Sequence, residues 1–199
     1  MGSVGEALRE TAIINLTGAA TMVVDDSSFS AEITTGALLG FGIRTRHSCR
    51  SAPEAMDILR EVEIDLLVVD CEMPGINGFE MVQWLRRSGP PNAFVPVIMT
   101  AAHIRRSMVD EVRNCGANYI VNKPFSASSL LERIVWVARD NRPFLEVGEY
   151  FGPDRRFREG EAPGEERRSD VLRRAEFEAQ KALAAASANA ATAGAGVAR

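Results

Sequence analysis

Ile64-Asp65-Leu66-Leu67-Val68-Val69-Asp70-Cys71-Glu72-Met73-Pro74-Gly75-Ile76-Asn77-Gly78 is the stretch whose reading decides the fold. Its apolar run, 66–69, is too short for a helix and is built from residues that suit a strand buried on both faces, as in a parallel sheet. The run stops in a single carboxylate, Asp70, and Pro74, Gly75 and Gly78 then turn the chain away. Strand carboxyl ends line the ligand crevice of an open parallel sheet, which makes Asp70 a candidate site residue. Taken alone, an Asp closing a strand is as often a turn former or a helix cap. The surrounding chain has to decide.

Upstream, 21–24 is a short strand that also runs into carboxylates, Asp25 and Asp26. Ser27 or Ser28 caps the helix that follows, and its spacing puts Phe29, Ile33, Ala37 and Leu38 on the buried stripe. Residues 43–47 read as a second strand near an edge, and Ser51-Ala52-Pro53-Glu54 as a helix start. Downstream, 78–85 begins an amphipathic helix, and Pro90, Pro91 and Pro96 bracket a break. A fourth strand, 95–99, ends at Thr100-Ala101. A fourth helix, 107–115, is closed by Gly116. The fifth strand, 119–121, ends at Asn122-Lys123-Pro124, and Ser126 opens a fifth helix that runs to about residue 141.

Five strands alternating with five helices call for right-handed crossovers and a parallel sheet covered on both faces. The expected fold is α/β, a doubly wound, flavodoxin-like (βα)5 sheet of order 2-1-3-4-5. In that order Asp25, Asp26, Asp70, Thr100 and Lys123 all come to one crevice. Three carboxylates so close repel each other unless a cation sits among them, and a hard ion that prefers oxygen, such as Mg²⁺, is the natural choice. A lysine and a small hydroxyl on the same rim suit a tetrahedral dianion. Phosphoryl transfer needs little more than this alignment and charge neutralisation.

Composition narrows the classes. The net charge of −4 and pI of 5.4 leave no overall footprint for nucleic acid, so direct DNA binding is not expected. Cys49, Cys71 and Cys115 lie far apart without zinc or redox spacing, and their odd number argues against a disulfide framework. Cys71 and Cys115 read as small buried residues, and the compartment as reducing. No stretch is long and apolar enough for a membrane span, and the start lacks the basic and apolar regions of a secretory signal. A cytoplasmic location is expected.

Asp25-Asp26 after the first strand, Asp70 followed by Met73-Pro74-Gly75 and Gly78, Thr100-Ala101 after the fourth, and Lys123-Pro124-Phe125 after the fifth resemble the receiver domain of bacterial two-component response regulators. The resemblance covers roughly residues 20–141. It implies that Asp70 is the phosphoacceptor, supplied by a histidine kinase or a histidine phosphotransfer protein. It implies further that Asp25 and Asp26 bind Mg²⁺ directly or through water, with Asp70 and the backbone carbonyl of Glu72 completing the site. Thr100 would move to hydrogen-bond the phosphoryl group, and Lys123 would contact it by charge. Such a protein signals by binding a downstream protein target or by passing phosphate along a relay, as a monomer or a phosphorylation-dependent dimer. It is a phosphoacceptor and not an enzyme with a separate substrate.

One position departs from the pattern. The aromatic residue that the family usually carries three places before the lysine is Ile120 here, with Tyr119 one place earlier. Strand side chains alternate, so Tyr119 points to the other face unless the strand carries a bulge.

The division expected is an N-terminal extension, 1–19, the receiver, 20–142, and a tail, 143–199. Within the tail, the aromatic and basic run Tyr150-Phe151-Gly152-Pro153-Asp154-Arg155-Arg156-Phe157-Arg158 can dock on the receiver or on a partner, or serve as a solvated linker. Residues 171–186 carry a narrow apolar stripe at helical spacing, and 188–199 have a disordered composition. Two other readings compete with the phosphoacceptor. One is an adaptor with a receiver fold that works independently of phosphate. The other is a phosphohydrolase resembling the haloacid dehalogenases, in which Glu72 would stand where that family has an acid/base Asp.

Overall fold

The computed structural model describes residues 16–155 except 17, 44, 45, 90 and 141. Residues 1–15 of the expected N-terminal extension, the helical stripe at 171–186 and Pro90 lie outside the described residues.

The strands are β1 (Thr21–Val24), β2 (Arg46–Cys49), β3 (Leu66–Asp70), β4 (Val97–Ala101) and β5 (Tyr119–Asn122). They pair in parallel in the order β2-β1-β3-β4-β5, as the alternation of elements required. The connecting helices are α1 (Ser28–Gly40), α2 (Ala52–Leu59), α3 (Gly78–Arg87), α4 (Arg106–Cys115) and α5 (Ala127–Ala138). A single 3-10 turn, Asn92–Phe94, precedes β4.

Alternation along the strands explains why the central runs look continuously apolar. Met22, Val24, Leu67, Val69, Val97 and Met99 pack toward α2, α3 and α4, while Val23, Leu66, Val68 and Ile98 pack toward α1 and α5. Both sets are buried, so no polar side chain is tolerated until the strands end.

Four helices start where side chains satisfy their first amides. Ser27, Ser51 and Ser126 accept the amides of Ser30, Glu54 and Ser129, and Asn77 and Glu80 form a capping box on α3. Gly78 has a second duty. A Cβ there would lie 2.1 Å from the carbonyl oxygen of Asp70, so only glycine lets α3 begin against the end of β3.

Two expectations need correcting. The buried stripe of α1 is Ala31, Thr34 and Leu38, whereas Phe29 and Ile33 are 72% and 48% exposed. The face that turns to the sheet carries Ala31, Thr34 and Leu38, with the Ser27 amide and the Ser30 hydroxyl on Asp25 beside it, and leaves Phe29 and Ile33 on the solvent side. The second strand starts at Arg46, and Ile43 is instead a buried loop residue ahead of it.

Beyond α5 the chain forms a hairpin, β6 (Phe144–Val147) and β7 (Tyr150–Pro153), turning at Gly148 with φ +59°. Of the fates open to the aromatic and basic run, its described part, to Arg155, docks on the chain's own α3 and α4. Phe144 and Phe151 stack with Phe94 at 4.9 and 5.1 Å between ring centres. Gly152 and Gly116 let the two backbones touch: a Cβ on Gly152 would lie 2.7 Å from Gly116 Cα, and one on Gly116 would lie 2.7 Å from the Phe151 carbonyl oxygen. Arg113 donates to the Arg155 carbonyl at 2.8 Å, and Arg142 to the Asp154 carbonyl at 3.1 Å.

The fully buried Arg86 joins these layers. It donates to the carbonyls of Gly116, Ala93 and Val95 at 2.8–2.9 Å and lies over the Phe144 ring at 5.1 Å. Among the described residues no helix is long and apolar enough to cross a membrane.

Candidate functional site: the crevice at the strand ends

At the carboxyl end of the sheet, buried backbone gives way to polar side chains. Asp25 follows β1, Asp70 ends β3, Thr100 lies in β4 and Lys123 follows β5. Asp25, Asp70 and Thr100 are buried, at 3%, 7% and 2% exposure, so any charge there must be answered by the protein.

Lys123 answers it. Its Nζ lies 2.6 Å from Asp25 Oδ2 and 2.6 Å from Asp70 Oδ1, bridging two strands that are neighbours across the switch point of the sheet. The lysine is placed by its own backbone, whose amide donates to the Ala101 carbonyl at 2.7 Å. Asp70 Oδ2 accepts the Glu72 amide at 2.9 Å, and Thr100 Oγ1 stands 3.5 Å from Asp70 Oδ1. Asp25 Oδ1 accepts the Ser27 amide at 3.1 Å, and its Oδ2 takes the Ser30 hydroxyl at 2.5 Å.

Electrostatics follow from this packing. Burial pushes the Asp70 carboxyl above its usual range, against the hydrogen bond and charge of Lys123 and the Glu72 amide, with the Asp25 charge adding to the rise. Burial pulls the Lys123 ammonium down, but its hydrogen bonds to Asp25 and Asp70 outweigh that and leave it raised. The lysine therefore stays charged at neutral pH. The three cysteines are buried, and desolvation pushes them to about 11 (Cys49), 12 (Cys71) and 11 (Cys115), far from thiolate chemistry.

The structure thus brings together Asp25, Asp70, Thr100 and Lys123. Asp26 is half-buried next to Asp25, and its carbonyl accepts Arg50 at 2.8 Å. Among the described residues no group of three or more His, Cys, Asp or Glu is already gathered around a metal position. The Glu72 carboxylate is exposed and points to Arg105, 3.3 Å away, not to the crevice floor.

Two polar residues at the site were not singled out from sequence, Ser30 and Arg105. The signal for Ser30 was available, a third serine, after Ser27 and Ser28, just downstream of the acidic pair. Tyr119 and Ile120 alternate in an unbroken register with β4, without a bulge. Tyr119 stacks on Trp136 of α5 at 5.3 Å, and Ile120 packs on the opposite side of the sheet.

Comparison with known proteins agrees with this architecture. The model of the response regulator receiver domain matches residues 21–135, which leaves the hairpin outside it. The chemotaxis protein CheY-3 of Vibrio cholerae is 27% identical over 113 residues, 57% of this chain and 86% of the relative. The crystal structure of V. cholerae CheY4 superposes with a TM-score of 0.57 at 25% identity, covering 61% of this chain and 99% of that one. The receiver domain of the Arabidopsis thaliana histidine kinase CKI1, solved with Mg²⁺ and BeF3⁻, gives 0.56 at 24% identity, over 63% of this chain and 93% of that one. With its sheet order, its helices and more than half its length accounted for by one family, the chain belongs to the response regulator receiver domains.

Proposed function

We propose that Asp70 accepts a phosphoryl group from a phosphohistidine of a kinase or phosphotransfer protein, and that the modified chain signals by contact with another protein. The observation that carries this reading is Lys123 bridging Asp25 and Asp70 at 2.6 Å at the sheet's carboxyl edge. In the transfer an Asp70 carboxylate oxygen forms the new P–O bond while the P–N bond of the donor breaks, and the leaving imidazole takes up a proton. Lys123 holds a phosphoryl oxygen by charge. Thr100, whose hydroxyl stands at the long distance of 3.5 Å from Asp70, shortens its contact by turning to the new group.

Mg²⁺ fits the donor set. Asp25, Asp26, Asp70 and the Glu72 carbonyl are hard oxygen donors, and two buried carboxylates share the Lys123 ammonium, so negative charge remains to be neutralised. Asp25, Asp26, Asp70 and the Glu72 carbonyl would hold it. When bound there, Mg²⁺ would supply charge neutralisation for the transferred phosphoryl group. Residues 20–142 form the receiver in this reading, with 1–19 and 143–199 appended to it.

The test is intact mass after incubation with acetyl phosphate and Mg²⁺. A phosphoryl adduct is expected on the wild type and absent from Asp70→Asn and from an EDTA control. An adduct that persists in Asp70→Asn moves the acceptor elsewhere, and a folded wild type with no adduct from acetyl phosphate or a phosphohistidine donor sinks the reading.

A further inference from the structure

Asp25 does not meet Lys123 unaided. Its carboxylate is 4% exposed, so protein donors and not water fix its orientation. Oδ1 takes the Ser27 amide at 3.1 Å, which is local and follows from the turn into α1. Oδ2 takes two donors, Lys123 Nζ at 2.6 Å and Ser30 Oγ at 2.5 Å.

Ser30 is itself held. It lies in the first turn of α1, and its carbonyl accepts the hydroxyl of Thr34, a residue only 1% exposed, at 3.0 Å. A serine inside a helix usually bonds back to its own helix or faces solvent. Here the hydroxyl leaves the helix for a charged, buried oxygen, and a hydrogen bond to a carboxylate is roughly twice as strong as one between neutral groups. With an amide on one oxygen and a hydroxyl on the other, both side-chain torsions of Asp25 are determined before any ligand arrives. The rotation of α1 that exposes Phe29 and Ile33 is the same rotation that aims Ser30 at Asp25.

We infer that Ser30 is a positioning residue for the crevice. Its hydroxyl locks the Asp25 carboxylate in the orientation that shares Lys123 with Asp70, and thereby sets the affinity of the site for its divalent cation. The inference rests on the Mg²⁺-dependent phosphoacceptor reading. Outer partners of ligating groups act in this way, and their loss typically weakens metal binding about 10- to 100-fold.

The experiment is calorimetric titration of Mg²⁺ into the full chain as wild type, Ser30→Ala and Ser30→Thr, with circular dichroism to show that each is folded. Ser30→Ala is expected to weaken binding about tenfold, the lower end of that range because Ser27 and Lys123 still hold the carboxylate. Ser30→Thr, which keeps the hydroxyl, is expected to stay within about twofold of wild type. In acetyl phosphate the Mg²⁺ concentration for half-maximal phosphorylation should rise by the same factor in Ser30→Ala, with the rate at saturating Mg²⁺ preserved. Wild-type affinity in Ser30→Ala, or an equal loss in both variants, overturns the inference while the phosphoacceptor reading stands. A wild type that binds no Mg²⁺ overturns both.

Discussion

Lys123 Nζ lies 2.6 Å from Asp70 Oδ1, so the candidate phosphoacceptor already touches a cation before any ligand is present. The contact compensates only part of the cost of burying Asp70. Desolvation still wins, and the carboxyl is left above its usual range.

A stability prediction follows from that sign. A carboxyl whose folded value is raised holds its proton more tightly in the folded state, so its contribution is fully present below the unfolded value, near 3.9, and declines as pH rises through the folded one. At neutral pH the ionised Asp70 therefore opposes folding. Asp70→Asn, which removes the buried charge and keeps one acceptor oxygen for either Lys123 or the Glu72 amide, should melt about 2–5 °C above wild type at pH 7. The gap should narrow as pH falls toward 4. Equal melting temperatures at pH 7, or a gap that widens in acid, would show that Lys123 fully offsets the burial.

Gly78→Ala tests the junction of β3 and α3. The new Cβ would lie 2.1 Å from the Asp70 carbonyl oxygen, and that backbone cannot yield without moving Asp70 itself. A loss of about 3 kcal/mol in urea unfolding is expected, together with slower phosphorylation of whatever remains folded. A variant of wild-type stability and phosphorylation rate would mean that the junction can shift freely.

The central sheet and most of the crevice were legible in sequence, because a buried parallel strand tolerates polar side chains only at its ends. Asp25, Asp70, Thr100 and Lys123 stand at those ends and therefore announce themselves. The face of α1 was not legible. Its apolar residues fit two stripes, and packing of Ala31 and Leu38 against the sheet, a tertiary contact, fills only one of them. The hairpin was hidden for a related reason. Gly152-Pro153 reads as a loop signal, and the glycine is there to approach Gly116, 36 residues earlier, which no local pattern reports. The Glu72 carboxylate, which the phosphohydrolase reading would use as acid/base, pairs with Arg105 at the surface, a contact 33 residues away that no local pattern reports.

Arg86 makes the hairpin's docking measurable. Its guanidinium is buried, burial lowers it to about 10, and it donates to three carbonyls at 2.8–2.9 Å. Arg86→Met removes the charge but strands those acceptors, so a loss of about 3 kcal/mol is expected. Arg86→Lys should recover little of it, because an ammonium cannot span the same fork of acceptors. Full recovery by lysine would show that charge alone, and not the planar geometry, matters at this position.

Phe151→Ala separates the hairpin from the receiver beneath it. The ring is half-buried against Phe94 and Phe144 at 5.1 and 5.8 Å, and its removal should cost about 2 kcal/mol of local stability. Because β6 and β7 pair only with each other, that loss should fall on the hairpin before it reaches the sheet. Amide hydrogen exchange is therefore expected to speed up across β6 and β7 while β1, β3 and β4 keep their protection, and phosphorylation of Asp70, at the other end of the strands, should be unchanged. Uniform loss of protection through β3 and β4 would instead make the hairpin part of one cooperative unit with the receiver, and residues 144–153 would then have to be counted as an integral strand pair of the domain.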